Sequence, residues 1–290
     1  MADIRVNWRE RDPGTLRVEI QADQGVHHVL ARFGVLKFLE NPLMRAGEPL
    51  LARIISYLDP EHEIFVVQGH RIELTVQDVY FLTGLLPLGM VGNMQPVLPR
   101  GRNIMEFVER HCRPGLRVKG TRIPIGDLER LETRAVAAAM LRILGSQAFH
   151  HITGGQMMIV ESVLSGTYYG WAQMMLVSLK RQLSLCKRQV NHDCSFGTLL
   201  CSLFFEKILT LRPHIQLLDG GPREPRMCRW GWLLCRGGGG VVGRVFQPEF
   251  FSHWDQMPLY IDDYPYSGMS YCGDPDLPLL PGRVLGPDGK

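Results

Sequence analysis

Two hydrophobic rhythms alternate along the chain. In HHVLARFGVLKFLENP, residues 27–42, apolar side chains fall at positions 29, 30, 33, 36 and 39, the spacing of one helix face, and Pro42 ends the run. EPLLARIISYLDP, residues 48–60, repeats that rhythm and closes at Pro60. The period then shortens to two. Ile64, Val66 and Gln68 alternate with Phe65 and Val67, which predicts a strand; Gly69-His70 is the turn candidate, and residues 71–74 return as its partner. Past this hairpin the helical period resumes. Thr75 is placed to cap a helix by accepting from the N–H of Asp78, and Asp78 in the first turn favours the helix dipole. Val76, Val79, Tyr80 and Leu82 carry the helix, Gly84 stops it, and Pro87 confirms the stop.

Further helices are predicted downstream. NIMEFVERHC gives a short one, DLERLETRAVAAAMLRIL (127–144) a longer one ended by Gly145, and GGQMMIVESVL another. YYGWAQMMLVSLKRQLSLCKR is the longest, with Trp171, Met174, Met175, Leu179, Leu183 and Cys186 on one stripe and Lys180, Arg181, Lys187 and Arg188 off it. FGTLLCSLFFEKIL precedes Pro213. Residues 1–26 read as irregular and residues 219–248 as a Gly/Arg-rich loop; residues 256–290, with 6 Pro and 5 Gly, read as a loose tail. The expected fold is mainly α: one helical domain over residues 27–255, a small β-hairpin element and a Pro/Gly-rich tail.

Composition narrows the class without changing that picture. Hydrophobic residues make up 45% of the chain, enough for a core, and the net charge of +3 creates no global drive towards nucleic acid. Seven cysteines with no CxxC pair argue against a disulfide framework and fit a reducing compartment. The first residues lack a secretory pattern, and no stretch has the roughly 18 uncharged apolar residues a membrane span requires. A soluble intracellular protein with no membrane association is expected.

Candidate chemistry is sparse. GGGVVG, residues 238–243, satisfies GxGxxG, but RVFQPEF follows it where a dinucleotide site needs a helix. Ser184 and Lys187 form an SxxK without its companion elements. Cys186, His192, Cys194 and Cys201 could supply zinc ligands, yet their spacing fits no standard finger. His62-Glu63 starts a zincin pattern that Val66 breaks. No segment joins a nucleophile, a base and an orienting group, so no enzyme, metal or cofactor is expected; an enzyme would need carboxylates converging from distant positions. Charge is more suggestive. Arg100, Arg102, Arg110, Arg113, Arg117, Lys119 and Arg122 face only Glu106 and Glu109 over residues 100–122, and residues 223–244 carry five arginines against Glu224. These loops could meet phosphates, although base-stacking aromatics are not interleaved.

Three blocks carry a family likeness. Gly69, Thr75-Val76-Gln77-Asp78-Val79, and Leu82, Gly84, Leu85 and Pro87 resemble the signature of the plant mobile domain, with Leu86 as an extra residue. TRAVAAAMLRILGSQAF, residues 133–149, resembles that family's Arg-Ala-led helix, with Arg134 in the matching place. YYGWAQMMLVSLKRQL, residues 168–183, resembles its Trp-containing helix through Trp171. The family is also labelled aminotransferase-like; no lysine here sits in a recognisable pyridoxal-phosphate context. The resemblance implies a non-enzymatic nuclear interaction module. It links the chain to plant transposable elements and to host proteins of the MAINTENANCE OF MERISTEMS type. Those act in meristem maintenance, genome stability and transposon silencing, with a phosphatase-like partner. A transposon-encoded nucleic-acid-binding protein is the alternative. On this reading Gly69, Thr75, Asp78, Val79, Leu82, Gly84 and Pro87 make a folding nucleus rather than an active site.

Overall fold

A computed structural model describes residues 5–8, 14–41, 48–87, 102–116, 122–146, 150–186, 191–212, 225–228, 230, 248–262 and 265–266. Helices dominate them, as the apolar spacing predicts. In chain order the helices are α1 (Gly14–Ala22), α2 (Gln24–Arg32), α3 (Leu36–Glu40), α4 (Glu48–Ser56), α5 (Val76–Thr83), α6 (Arg102–His111), α7 (Leu131–Ile143), α8 (Gly154–Leu164), α9 (Trp171–Cys186), α10 (Gly197–Lys207) and α11 (Pro248–Trp254). The strands are short: β1 (Arg5–Trp8), β2 (Leu58–Asp59), β3 (Ile64–Val67), β4 (His70–Ile72), β5 (Arg122–Pro124), β6 (His151–Thr153) and β7 (Asn191–Cys194).

Two helices form the centre. Every residue of α10 from Gly197 to Glu206 is buried, and α7 buries Ala135, Val136, Ala137, Ala139, Met140, Leu141 and Ile143. A helix that is apolar nearly all round has to be covered on all sides. Accordingly α4 and α5 pack on α10, while α2, α8 and α9 pack on α7. α9 lies against both α5 and α7, with Trp171, Met174, Met175, Leu179 and Leu183 inward as the stripe predicts. One apolar core runs continuously from Ile20 to Trp254.

The hairpin expected at 64–74 belongs to a three-stranded antiparallel sheet in the order β2-β3-β4. The sequence hides β2 because SYLDP reads as the end of α4; in fact the chain turns back directly, pairing Leu58 with Phe65 and Asp59 with Ile64.

Three expectations need correction. The run from 27 to 42 is two helices, because Gly34 sits at φ +70° and ends α2. The N–H of Val35 donates to Leu30 O (3.1 Å) and that of Gly34 to Ala31 O (2.9 Å), the paired bonds of a Schellman stop. Residues 1–26 are not irregular throughout. β1 pairs in parallel with β7, Arg5 opposite Asn191 through Trp8 opposite Cys194, and α1 buries Ile20. The tail does not begin at 256. Ile261 bridges Ile208, and Tyr266 is buried. The rest of the expected tail, residues 267–290, lies outside the described residues. No described helix is long and apolar enough to cross a membrane.

Candidate functional site

The hairpin turn is built by two residues in the left-handed region, Gln68 at φ +48° and Gly69 at φ +85°, joining Val67 to its partner His70. This two-residue loop matches the strand twist and lies one residue ahead of the predicted Gly69-His70 turn. The chain then enters α5 through a capping box: Thr75 Oγ1 accepts from the Asp78 N–H at 3.2 Å, and Asp78 Oδ2 accepts from the Thr75 N–H at 2.8 Å. Val79 and Leu82 are fully buried behind it. Gly84 closes the helix at φ +75°, donating to Tyr80 O at 2.7 Å.

Asp78 has a second task that spacing does not reveal. Lys207, at the end of α10, places Nζ 3.0 Å from Asp78 Oδ1 and donates to the carbonyl of Glu73 at 2.9 Å. The neighbouring Glu206 is buried as well. Its carboxylate accepts from the Trp230 indole at 2.8 Å and stands 3.9 Å from the Arg212 guanidinium. Tyr266 closes this cluster from outside. Its ring stacks on Phe81, centroids 4.9 Å apart, and its buried hydroxyl faces Asp78 in a geometry short of a full hydrogen bond. Burial, then the charges of Asp78 and Glu206, push its ionisation well above the ordinary phenol range. Both carboxylates are occupied by their own donors. Nearby, Asn41 donates to Thr83 O at 3.3 Å and accepts from the Cys228 thiol, whose titration burial pushes up to about 12.

A second polar group fastens α11 to α4 and the hairpin. Asp255 accepts from both Arg53 and the Tyr57 hydroxyl, the latter at 3.1 Å, and the Arg53 guanidinium lies 5.0 Å from the centre of the Tyr57 ring. Desolvation raises the Tyr57 phenol above its usual range. Trp254 packs edge-on against Tyr57 and is buried. Gln68, at the hairpin turn, donates to the carbonyls of Trp254, Asp255 and Met257 at 3.3–3.5 Å, so a turn residue caps the end of α11.

The remaining signature residues lie in the helical core. The Trp171 indole donates to Phe33 O at 2.9 Å, and the Ala172 N–H donates to the carbonyl of Leu86 at 3.1 Å. The Leu86 side chain fills the space beside Gly34, where a Cβ would meet it at 2.6 Å. Arg134 bonds Glu19 of α1 at 2.7 Å. Gly145 ends α7 at φ +57°, and an added Cβ would lie 2.4 Å from the Phe196 ring. The three resemblance blocks therefore meet in one core, where Gly69, Thr75, Asp78, Val79, Leu82, Gly84 and Trp171 serve turns, caps and packing; Pro87 follows the Leu86 contact.

The basic stretch is brought together only in part. Arg110 is offset by Glu161 at 2.9 Å and Glu106 at 3.7 Å, and Glu161 also meets His111 Nε2 at 3.2 Å. Arg113 and Arg122 are exposed. Arg100, Arg117 and Lys119, and the side chain of Arg102, lie outside the described residues. So do GGGVVG, Lys187 and the side chains of Cys186 and His192. Ser184 donates to the Arg181 carbonyl at 2.9 Å, and His62 pairs with Asp59 at 2.8 Å. Cys194 and Cys201 are buried, and no group of three or more His, Cys, Asp or Glu among the described residues is placed to hold a metal ion.

Sequence reasoning found the Thr75 cap because its signal is local, but not the return bond from the Thr75 N–H to Asp78 that completes the capping box. It missed Lys207, Glu206, Arg53, Trp254 and Asp255, whose roles depend on partners far off in the chain. No protein-family model matches this chain, and neither the curated proteins nor the solved structures hold a significant match to it.

Proposed function

We propose that this chain is a non-enzymatic interaction module of the plant mobile domain type, acting in the nucleus. By that resemblance it works in meristem maintenance, genome stability and transposon silencing, and binds nuclear proteins, a phosphatase-like protein among them. The observation that carries the reading is the destination of the signature residues. Thr75 and Asp78 start α5, Gly84 ends it, and Trp171 ties α9 to the Phe33 carbonyl. Residues spent on caps and packing make a scaffold, which leaves recognition to the surface. The same holds for the most buried acids: Asp78 is committed to Lys207 and Thr75, and Glu206 to Trp230.

A fluorescent fusion in plant cells, with affinity capture from isolated nuclei, tests it. Nuclear accumulation with enrichment of a phosphatase-like protein is the expected result. Exclusion from the nucleus, with no such enrichment, overturns it.

The second reading, a transposable-element-encoded nucleic-acid-binding protein, rests on the exposure of Arg113 and Arg122 near the basic loop. A gel-shift titration across salt decides it. Phosphate contact by the residues of this stretch gives a steep fall of affinity with salt, and absence of binding at low salt removes it.

A further inference from the structure

We propose that α11 and the segment after it, residues 248–262 and 265–266, form a releasable strap that governs solvent access to the buried Asp78–Lys207–Glu206 cluster. Phe251 and Trp254 seat α11 in the core, and the segment's polar contacts with the body form two latches. At the first, Asp255 holds Arg53 and Tyr57 while Gln68 caps the end of α11. At the second, Tyr266 stacks on Phe81 and faces Asp78. Between them residues 260–262 lie along residues 207–209. The Leu209 N–H donates to Tyr260 O at 2.9 Å and the Asp262 N–H to Lys207 O at 2.8 Å. In this middle section Met257 and Tyr260 are exposed, while Leu259 and Ile261 pack half-buried against the core.

Three features make the strap separable from the core. Its first latch is polar and open to water: the Arg53 and Asp255 side chains are 30% and 39% exposed, which weakens an ion pair. Its main anchor carries a cost, because the Trp254 indole N–H is buried without a hydrogen-bond partner. Its second anchor buries the Tyr266 hydroxyl without a well-formed bond. By contrast α7 and α10 have covered apolar faces and regular backbone bonding. Segments held by solvent-exposed polar contacts open before the rest of a fold. Opening here removes Tyr266 from Asp78, frees the Lys207 carbonyl from Asp262 and separates Asp262 from Arg212, 3.8 Å away. The acid–lysine pair then meets water without the helical body unfolding.

Hydrogen exchange followed by mass spectrometry on the full chain tests this. Peptides spanning 248–262 and 207–212 are expected to exchange together, at least about 100-fold faster than α7 and the middle of α10. Asp255→Ala is expected to speed both peptides about tenfold, the size of losing one charge-assisted bond, with α7 unchanged. Tyr266→Phe keeps the ring stack and removes the ill-placed hydroxyl, and is expected to slow both peptides. Exchange of 248–262 at the rate of α10 in the unaltered protein overturns the proposal. So does an Asp255→Ala effect confined to α11, or acceleration by Tyr266→Phe.

Discussion

Lys207 lies 3.0 Å from Asp78, 129 positions earlier in the chain, and the same ammonium bonds the carbonyl of Glu73 at 2.9 Å. α10 is thereby fastened to the entry of α5 at the point where the hairpin becomes a helix. A capping residue doubles as the partner of a mostly buried lysine, so both lose if either is removed.

Asp78→Ala is expected to destabilise the fold by roughly 3–5 kcal/mol, because it removes the return half of the α5 capping box and strands a buried ammonium. Lys207→Met in the same background is expected to recover part of that loss, since no unpaired charge remains. Denaturant unfolding of the two single variants and the double variant measures the coupling. Additive effects would show that Asp78 and Lys207 are not coupled.

Glycine substitutions are expected to separate strain from crowding. Gly69→Ala meets no atom within 4 Å and bears only the cost of φ +85°, about 1–3 kcal/mol. Gly145→Ala adds a clash with the Phe196 ring at 2.4 Å to its own φ of +57°, so it falls below Gly69→Ala by a further ~1–3 kcal/mol. Phe196→Leu is expected to relieve Gly145→Ala and not Gly69→Ala, as read by thermal denaturation.

Alkaline pH is expected to weaken the fold through its buried thiols. Burial, with a contribution from Asp127, pushes Cys112 up from 9.0 to about 11; burial, with Glu40, pushes Cys228 from 9.0 to about 12. The folded state keeps these protons where the unfolded chain releases them. The stability they contribute is complete below pH 9 and is lost as pH rises through 11. Melting temperature should fall across that window, and the Cys112→Ala/Cys228→Ala variant should fall less. Labelling with a thiol reagent at pH 7.5 should be slow at both sites until denaturant is added.

Trp171→Phe keeps most of the ring packing but leaves the Phe33 carbonyl without the donor it has at 2.9 Å. A loss of about 1–3 kcal/mol is expected, because a buried acceptor is left unpaired. Denaturant unfolding would show the loss in the transition midpoint with the slope unchanged.

The parts of this fold that were legible in the sequence are those governed by neighbours a few residues apart. Thr75 and Asp78 announce α5 through cap chemistry, and Gly84 and Gly145 mark helix ends where φ must be positive. The apolar stripe of α9 gave the correct inward face. Long-range pairing was not legible. Nothing local to RVNW says that it lies beside NHDC, and SYLDP shows no sign that two of its residues form a strand. Composition misled at the other end, where Pro and Gly hid the anchoring roles of Ile261 and Tyr266. The helix break at Gly34 was masked by a good apolar period, and the Leu86 side chain that packs beside the glycine lies 52 positions downstream. The basic stretch was visible as charge, but the offset of Arg110 by Glu161 comes from a different helix.

The parallel register of residues 5–8 with residues 191–194 sets an order for synthesis. On the ribosome the earlier strand emerges long before its neighbour exists, and a loop of this span closes slowly. Until then its backbone groups are bonded to water or to whatever chaperone holds them. Co-translational acquisition of this fold therefore stays incomplete until about two thirds of the chain has left the exit tunnel, and nascent chains halted before residue 191 should remain protease-sensitive at residues 5–8.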